Sequence, residues 1–430
     1  MGERKMLSVV CSYRFLISVL VMLGTFIQYS QKVDMSVNII CMVNHSANHE
    51  DKPPSDSCPV TNDTTSQDGP YPWDSKAQGG FLSSKFGSKY TMFISMLING
   101  TIGSLYATMA KFGYGVIVFM RVLVGLSAGM IFPSVSQLWS RWAPIQDRSI
   151  LIGFAVSGSH LGSVFTLPLG GYLCQNGFGG GWPSLFYSIS IMTFIWCALW
   201  IILFADDPQQ HKFLSSEEKQ YIQRNTIQRK HVALRDVPWL RILKSKAFIA
   251  HTVYHTFVNW GFLMLLTMTP KYMKEVLCFD INANGLLSAL PFIMIWLSTT
   301  ISGIVADMLI NRQIMTRTTV RKLANSIGAF GPGIFILALG FVPNGQASIS
   351  VTLLTIGQLL FGVTFGAGFM CVCNDIGGSI AGIVFGMANG IGAIPGIIAP
   401  YVTSEITKTG TAAEWRTVFI IAAKNRKRFQ

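Results

Sequence analysis

The chain reads as an all-helical membrane protein with many transmembrane spans, and two observations lead there. Hydrophobic residues make up 50% of its 430 residues and charged residues only 12%, with a mean hydropathy of +0.44. Soluble domains carry roughly 25% charged residues because their exterior faces water. A body this poor in charge cannot cover itself with polar side chains and is solvated by lipid. The second observation is a series of apolar runs of about 20 residues, the length that crosses a bilayer core. Its 41 glycines suit helices packed closely inside a membrane.

Taken in order, the first run extends from about Phe15 to Val43. It is too long for a signal-peptide core and lacks a small-residue cleavage site. Further runs lie near Tyr90–Ala110, Tyr114–Trp139, Ser149–Cys174 and Ser184–Phe204. After a hydrophilic connection from Asp206 to about Lys246 come Phe248–Pro270, Asn284–Ile310, Leu323–Val342, Val351–Cys373 and Gly377–Val402. A last apolar fragment, Val418 to Ala423, stops at Asn425-Arg426-Lys427-Arg428 and is too short to cross. Ten complete spans result, five on each side of the connection.

The formal charge of +13 does not point to nucleic acid, because the basic residues concentrate in Lys212 to Lys246 and Lys424 to Arg428. Cytoplasmic connections are enriched in Lys and Arg. The eight cysteines show no metal spacing and are read as small packing residues. Cys58 alone lies in a polar loop, with Cys41 a weak disulfide partner. No Ser/His/Asp arrangement, metal cluster or phosphate-binding loop is present, and Gly177 to Gly181 lacks a strand–turn–helix setting. The sequence therefore predicts neither an enzyme nor a resident cofactor or metal.

Two loops set the orientation. The loop from Asn44 to Gly79 carries sequons at Asn44 and Asn62, which predict glycosylation on a non-cytosolic face. The basic connection after Asp206, with a helix start at Ser215-Ser216-Glu217-Glu218, predicts a cytoplasmic face. Four spans between them return the chain to the same side, whereas opposite sides require an odd number. Either one side assignment is wrong or a helix is missing between Gly79 and Tyr90; the cut-off final run favours the second, and the missing and truncated helices then make twelve as two halves of six.

The stretch Gly80-Phe-Leu82-Ser-Ser84-Lys85-Phe-Gly87-Ser-Lys89 resembles the Gly-x-Leu-x-Asp-Arg-x-Gly-Arg-Lys loop of the major facilitator superfamily. Gly303-Ile-Val-Ala-Asp307 followed by Arg321-Lys322 is a degenerate echo in the second half. Trp139 through Ser149, Asp207-Pro208-Gln209, Pro238-Trp239, Pro270 through Glu275, Leu287 through Pro291 and Gly410 through Phe419 are more specific. They resemble sialin and its relatives, the anion:cation symporters that include vesicular glutamate and sodium–phosphate transporters. The resemblance runs from about Tyr13 to Ala423.

It implies an N-terminal transmembrane half at 1–205, a cytoplasmic central loop at 206–246 and a C-terminal transmembrane half at 247–430. It implies that helix two is deleted, since Gly79 runs directly into the loop motif, and that helix twelve is replaced by the basic tail. Gly80, Lys85, Gly87, Lys89 and Asp307 would serve conformational switching. Asp375, at a span end, is read as a switching or capping residue.

Charge inside a membrane costs at least about 2.5 kcal/mol near a helix centre and rarely persists without a task. Arg121 is the sole charged residue between Tyr114 and Trp139. It is read as an anion-coordinating cation in a central cavity, its planar fork matching a carboxylate or phosphate; the plainer alternative is a structural Arg bonded to carbonyls of a neighbouring helix. Lys32 stands where relatives carry a substrate-binding Arg. Lys32 and Asp34 are two residues apart and do not face each other on a helix, so either they act in the cavity or they mark the polar exit of the span.

His251 and His255, four apart, have the spacing of a two-ligand metal site or proton relay. Packing is the simpler reading, although His255 and Asn259 match family positions beside the cavity. Val124 and Ala128 stand where proton-coupled sialin and glutamate carriers have carboxylates, and Ser136 and Leu263 replace a His and a Tyr. Sialic acid as substrate therefore does not follow, and H⁺ and Na⁺ both stay open as the coupling cation. The expectation is a secondary active symporter that moves a small organic or inorganic anion by alternating access. It would sit in a lysosomal, vesicular or plasma membrane. The alternative is a shortened, non-transporting isoform of such a carrier.

Overall fold

A computed structural model describes residues 12–42, 88–179, 181–226, 237–277, 281–343 and 346–427. Among these residues every regular element is a helix. Hydrocarbon offers no partner to a backbone N–H or C=O, so a spanning segment must bond to itself. In chain order the first set is α1 (Tyr13–Met42), α2 (Ser88–Met109), α3 (Tyr114–Ala128), α4 (Ile131–Trp142), α5 (Arg148–Asn176) and α6 (Pro183–Leu203). The connection holds α7 (Ser216–Asn225) and α8 (Trp239–Leu243). The second set is α9 (Lys246–Glu275), α10 (Ile281–Asn311), α11 (Arg317–Leu339), α12 (Ala347–Ala367), α13 (Phe369–Gly377), α14 (Ala381–Gly392), α15 (Pro395–Ile406) and α16 (Ala412–Lys427).

Among the described residues, eight stretches are long and apolar enough to cross a membrane. α9 is not among them, but its thirty residues at 1.5 Å each run about 45 Å, beyond the roughly 30 Å of hydrocarbon. The sequence predicts spans at Tyr114–Trp139, Val351–Cys373 and Gly377–Val402; the first two fall within single stretches, Tyr114–Trp142 and Ala347–Gly377, and all three carry an interruption. α3 gives way to α4 at Gly129, α12 to α13 at Gly368, and α14 to α15 before Pro395. Residues 43–87, including the loop motif up to Gly87, lie outside the described residues.

Small residues draw four helices into a spine. A Cβ at Gly158 or Gly162 of α5 would collide with the Met22 or Phe26 carbonyl oxygen of α1. On the other face of α5, Gly303 of α10 approaches the Ser149 carbonyl and Gly366 of α12 lies against Gly153. Gly362 and Gly366 seat α12 on Ser298 and Thr299 of α10. The spine α1–α5–α10–α12 thus passes from the first set to the second with backbones almost touching, the arrangement that membrane helices use where apolar burial alone provides no attraction. Phe119, Ile202 and Ile334 are 62%, 65% and 65% exposed, because lipid takes the place of water around them.

Tryptophans fasten the first set. Trp196, Trp200 and Phe204 stack at 5.0 and 4.3 Å, while Trp196 donates to the Leu20 carbonyl at 2.8 Å and Trp200 to that of Lys89 at 3.0 Å. The basic connection folds back on this set. As its sequence predicts, α7 opens on Ser215, whose hydroxyl accepts from the Glu218 N–H. Glu218 then accepts from the first N–H groups of α1 at Tyr13 and Arg14 and from Arg14 Nε at 3.0 Å, and Arg14 reaches Asp147 at 2.8 Å.

His211 lies against Tyr13 and Trp142. Its Nδ1 accepts from the Phe213 N–H and its Nε2 donates to the Leu203 carbonyl, so the ring is held neutral. Burial, with help from Lys219 and Lys89, holds its pKa below the ordinary histidine range.

Replacing Gly158 with Ala should destabilise the protein by about 2 kcal/mol or more, read as a lower thermal midpoint in detergent; an unchanged midpoint would mean the α1–α5 contact is slack. Because the unfolded His211 charges near pH 6.5 and the folded one only at lower pH, its contribution is present above about pH 6.5 and is lost as pH falls from there. The fall in thermal midpoint on acidification should therefore be shallower in His211→Gln.

Candidate functional site

Among the described residues the first set brings one ion pair into the membrane interior. The Arg121 guanidinium of α3 lies 2.7 Å from Asp34 of α1 and donates to the Gln31 carbonyl at 2.9 Å. Tyr106 of α2 and Phe186 of α6 present their rings to it at 4.8 and 5.9 Å. Both readings of Arg121 touch this geometry: it bonds a neighbouring helix's carbonyl, and it already holds a carboxylate. Asp34, which the sequence left between cavity and helix exit, is that carboxylate and does not pair with Lys32. A guanidinium with a resident anion can accept an external one only by exchange. Around the pair, Arg121 Nε, Gln31 Oε1 and Tyr106 Oη have no hydrogen-bond partner.

Lys32 is exposed, with its ammonium 5.2 Å from the centre of the Tyr29 ring. No acidic side chain pairs with it among the described residues. Tyr29 in turn meets Phe132 of α4 at 6.1 Å and Phe262 of α9 at 6.2 Å. From Phe262 a sheet of rings continues through Phe361, Phe365 and Phe369, while Phe132 reaches Phe385. This septum closes the space below Lys32 with apolar rings contributed by both sets of helices.

His255 sits inside the septum, 1% exposed, with its ring 4.9 Å from Phe369 and 5.7 Å from Phe385. Asn259 donates to the Gly392 carbonyl at 2.8 Å, at the break between α14 and α15. His251 Nε2 is in hydrogen-bond contact with the Cys373 thiol at 3.0 Å. No group of three metal-ligating side chains occurs among the described residues.

Beyond the septum, on the side of the basic connection, a polar latch joins the two sets. Asp375 of α13 receives Arg148 of α5 at 3.1 Å and Arg321 of α11 at 2.9 Å. Arg321 also donates to Ser149 at 3.0 Å and to the Ala367 carbonyl at 2.8 Å. Asp307 accepts from the Ile150 N–H at 2.7 Å, placing a carboxylate at the positive start of α5. Asn311 donates to the Gln146 carbonyl at 2.9 Å and Asn374 to Ser136 at 3.3 Å. The expected switching residue Asp307 thus crosses from one set to the other.

Lys89 lies at the start of α2, where its N–H donates to Asp206. Gly80, Lys85, Gly87, Asn44 and Asn62 fall outside the described residues. Sequence reasoning missed the pairing of Arg148 and Arg321 on Asp375. The available signal was three charges at span ends, too common a pattern to single out.

The profile of the Major Facilitator Superfamily matches residues 76–400, and sialin of Homo sapiens is 35% identical over 439 residues, covering 96% of this chain and 87% of sialin. The chain belongs to the sialin-like family of the major facilitator superfamily. It is similar as well to vesicular glutamate transporter 1 of Bos taurus, 32% identical across 95% of this chain and 74% of the relative. A putative inorganic phosphate cotransporter of Drosophila melanogaster is 31% identical across 95% and 82%. Among solved structures, the proton:xylose symporter XylE aligns with a TM-score of 0.63 at 14% identity, over 96% of this chain and 94% of that one. The fold is therefore that of the major facilitators, and this sialin-like chain is a multi-pass membrane protein and a transporter.

Removing the shared carboxylate leaves two buried arginines uncompensated, at a cost of about 3 kcal/mol. In Asp375→Asn the latched state should lose ground by roughly a hundredfold. Disulfide yield between cysteines substituted at Gln146 and Asn311 would report it; equal yields with and without Asp375 would show that the latch carries no such weight.

Proposed function

We propose that this transporter carries a small organic or inorganic anion by alternating access, with Lys32 and Arg121 attracting it. The observation that carries the reading is the Arg121–Asp34 pair beside an exposed Lys32. One cation, Lys32, pairs with no acidic side chain among the described residues and can draw an anion in, and the second holds an internal carboxylate that an incoming anion can replace. Asp34 also supplies the intramembrane carboxylate that Val124 and Ala128 leave absent from α3. Its protonation would free Arg121, which favours H⁺ over Na⁺ as the coupling ion. The latch beyond the septum holds one side shut, and its opening would complete the cycle. The relatives' names, sialin, vesicular glutamate transporter and putative inorganic phosphate cotransporter, point to anions as the class. His255 and Asn259 would line the far wall of the cavity. A lysosomal, vesicular or plasma membrane would hold the carrier.

The test is uptake of sialic acid, glutamate, urate and phosphate into proteoliposomes under separate H⁺ and Na⁺ gradients. Saturable uptake of one anion should vanish in Arg121→Ala. Lys32→Ala should raise KM by roughly ten- to a hundredfold, the worth of one charge-assisted hydrogen bond. Asp34→Asn should uncouple uptake from the H⁺ gradient while leaving binding intact. Uptake that is indifferent to Arg121→Ala would sink the reading.

A further inference from the structure

His160 lies midway along α5, ten residues past Ile150 and so about 15 Å from the latch. It is wholly buried. Both ring nitrogens, Nδ1 and Nε2, lack a hydrogen-bond partner. Its neighbours are the rings of Phe262 from α9 at 5.7 Å and Phe365 from α12 at 4.9 Å, each tilted 82° to it. The imidazole therefore belongs to the first set of helices and its cover to the second.

A buried polar group without a partner is rare and calls for a reason. Packing supplies none, since a Leu or Phe would fill the same space without losing hydrogen bonds to water. The position supplies one. Phe262 touches His160 on one side and Tyr29, beneath the Lys32 ammonium, on the other. Two rings, Tyr29 and Phe262, separate the exposed cation from the hidden imidazole. The cover is held by the latch, because the seam that buries His160 is the same one that Arg148, Ser149 and Ile150 bolt to Asp375, Arg321 and Asp307.

We infer that His160 is an anion ligand of the opposite conformation: when the latch parts and Phe262 and Phe365 withdraw with the second set, its N–H donates to an oxygen of the anion arriving from Lys32. The imidazole always carries at least one ring donor, so this role needs no change of protonation. The orphaned nitrogens are the mark of a group whose partner is present in only one half of the cycle. This inference rests on the anion-carrier reading for its ligand, and on the buried seam for its place.

Diethyl pyrocarbonate labelling of histidines, read by mass spectrometry on the full chain in proteoliposomes, tests it. His160 should react slowly in the unaltered protein and several-fold faster in Asp375→Asn. Phosphate, glutamate or sialic acid should slow the faster reaction. His160 unreactive in both proteins, or reactive with no protection by any of the three, overturns the inference. Uptake adds a second measure. KM measured from the side of the basic connection should rise several-fold in His160→Leu and return in His160→Gln, with KM from the other side unchanged; an equal shift from both sides would mean a structural role and overturns it too. If no anion is taken up yet His160 is exposed by Asp375→Asn and shielded by an anion, the binding site stands and the carrier reading falls.

Discussion

A charge held in hydrocarbon must have a partner, and this constraint arranges the interior of the molecule. The membrane tolerates neither a bare guanidinium nor a bare carboxylate, so each buried ion ties two helices together. Arg121 binds α3 to α1 through Asp34 and the Gln31 carbonyl. Arg148 and Arg321 share Asp375 and so bind α5, α11 and α13. These ties differ in kind. The Arg121 pair lies wholly within the first set, beside Tyr106 and Phe186, whereas the Asp375 triad joins the two sets. One lies within a single set; the other bridges the two sets.

Between the two lies an aromatic septum that translates one into the other. Its rings come from both sets and lie between the Lys32 side and the latch side, with the buried imidazoles of His160 and His255 packed among them. Aromatic rings in edge contact hold their places through shape and quadrupole rather than hydrogen bonds, so they can part at modest cost when the latch opens. The close glycine contacts of α5 with α1 and of α12 with α10 make each side of the seam stiff. A displacement at Arg148 can then travel the length of α5 to His160 rather than dissipate in loose packing.

The broken helices fit this division. α3–α4 and α12–α13 interrupt at Gly129 and Gly368. Interruptions inside membrane helices are stable only where protein or a cavity satisfies the freed backbone. At the α14–α15 break the Asn259 amide does this by donating to the Gly392 carbonyl. Asn259, singled out by family position, thus satisfies the freed backbone at this break.

Much of this was legible in the sequence. Low charge and apolar runs near 20 residues determined the membrane class, because lipid solvation is a property of composition. The loop motifs and Trp139 through Ser149 determined the family, and the lone Arg121 in its span marked itself by cost alone. The start of α7 at Ser215 was readable because capping is local. Tertiary structure decided what is not local. No spacing rule connects Asp34 to Arg121 across 87 residues or Asp375 to Arg148 across 227, and nothing in the sequence separates an imidazole with hydrogen bonds from the orphan at His160. An ion's need for a partner is written in the chain, but which helix supplies that partner is decided only when the helices pack.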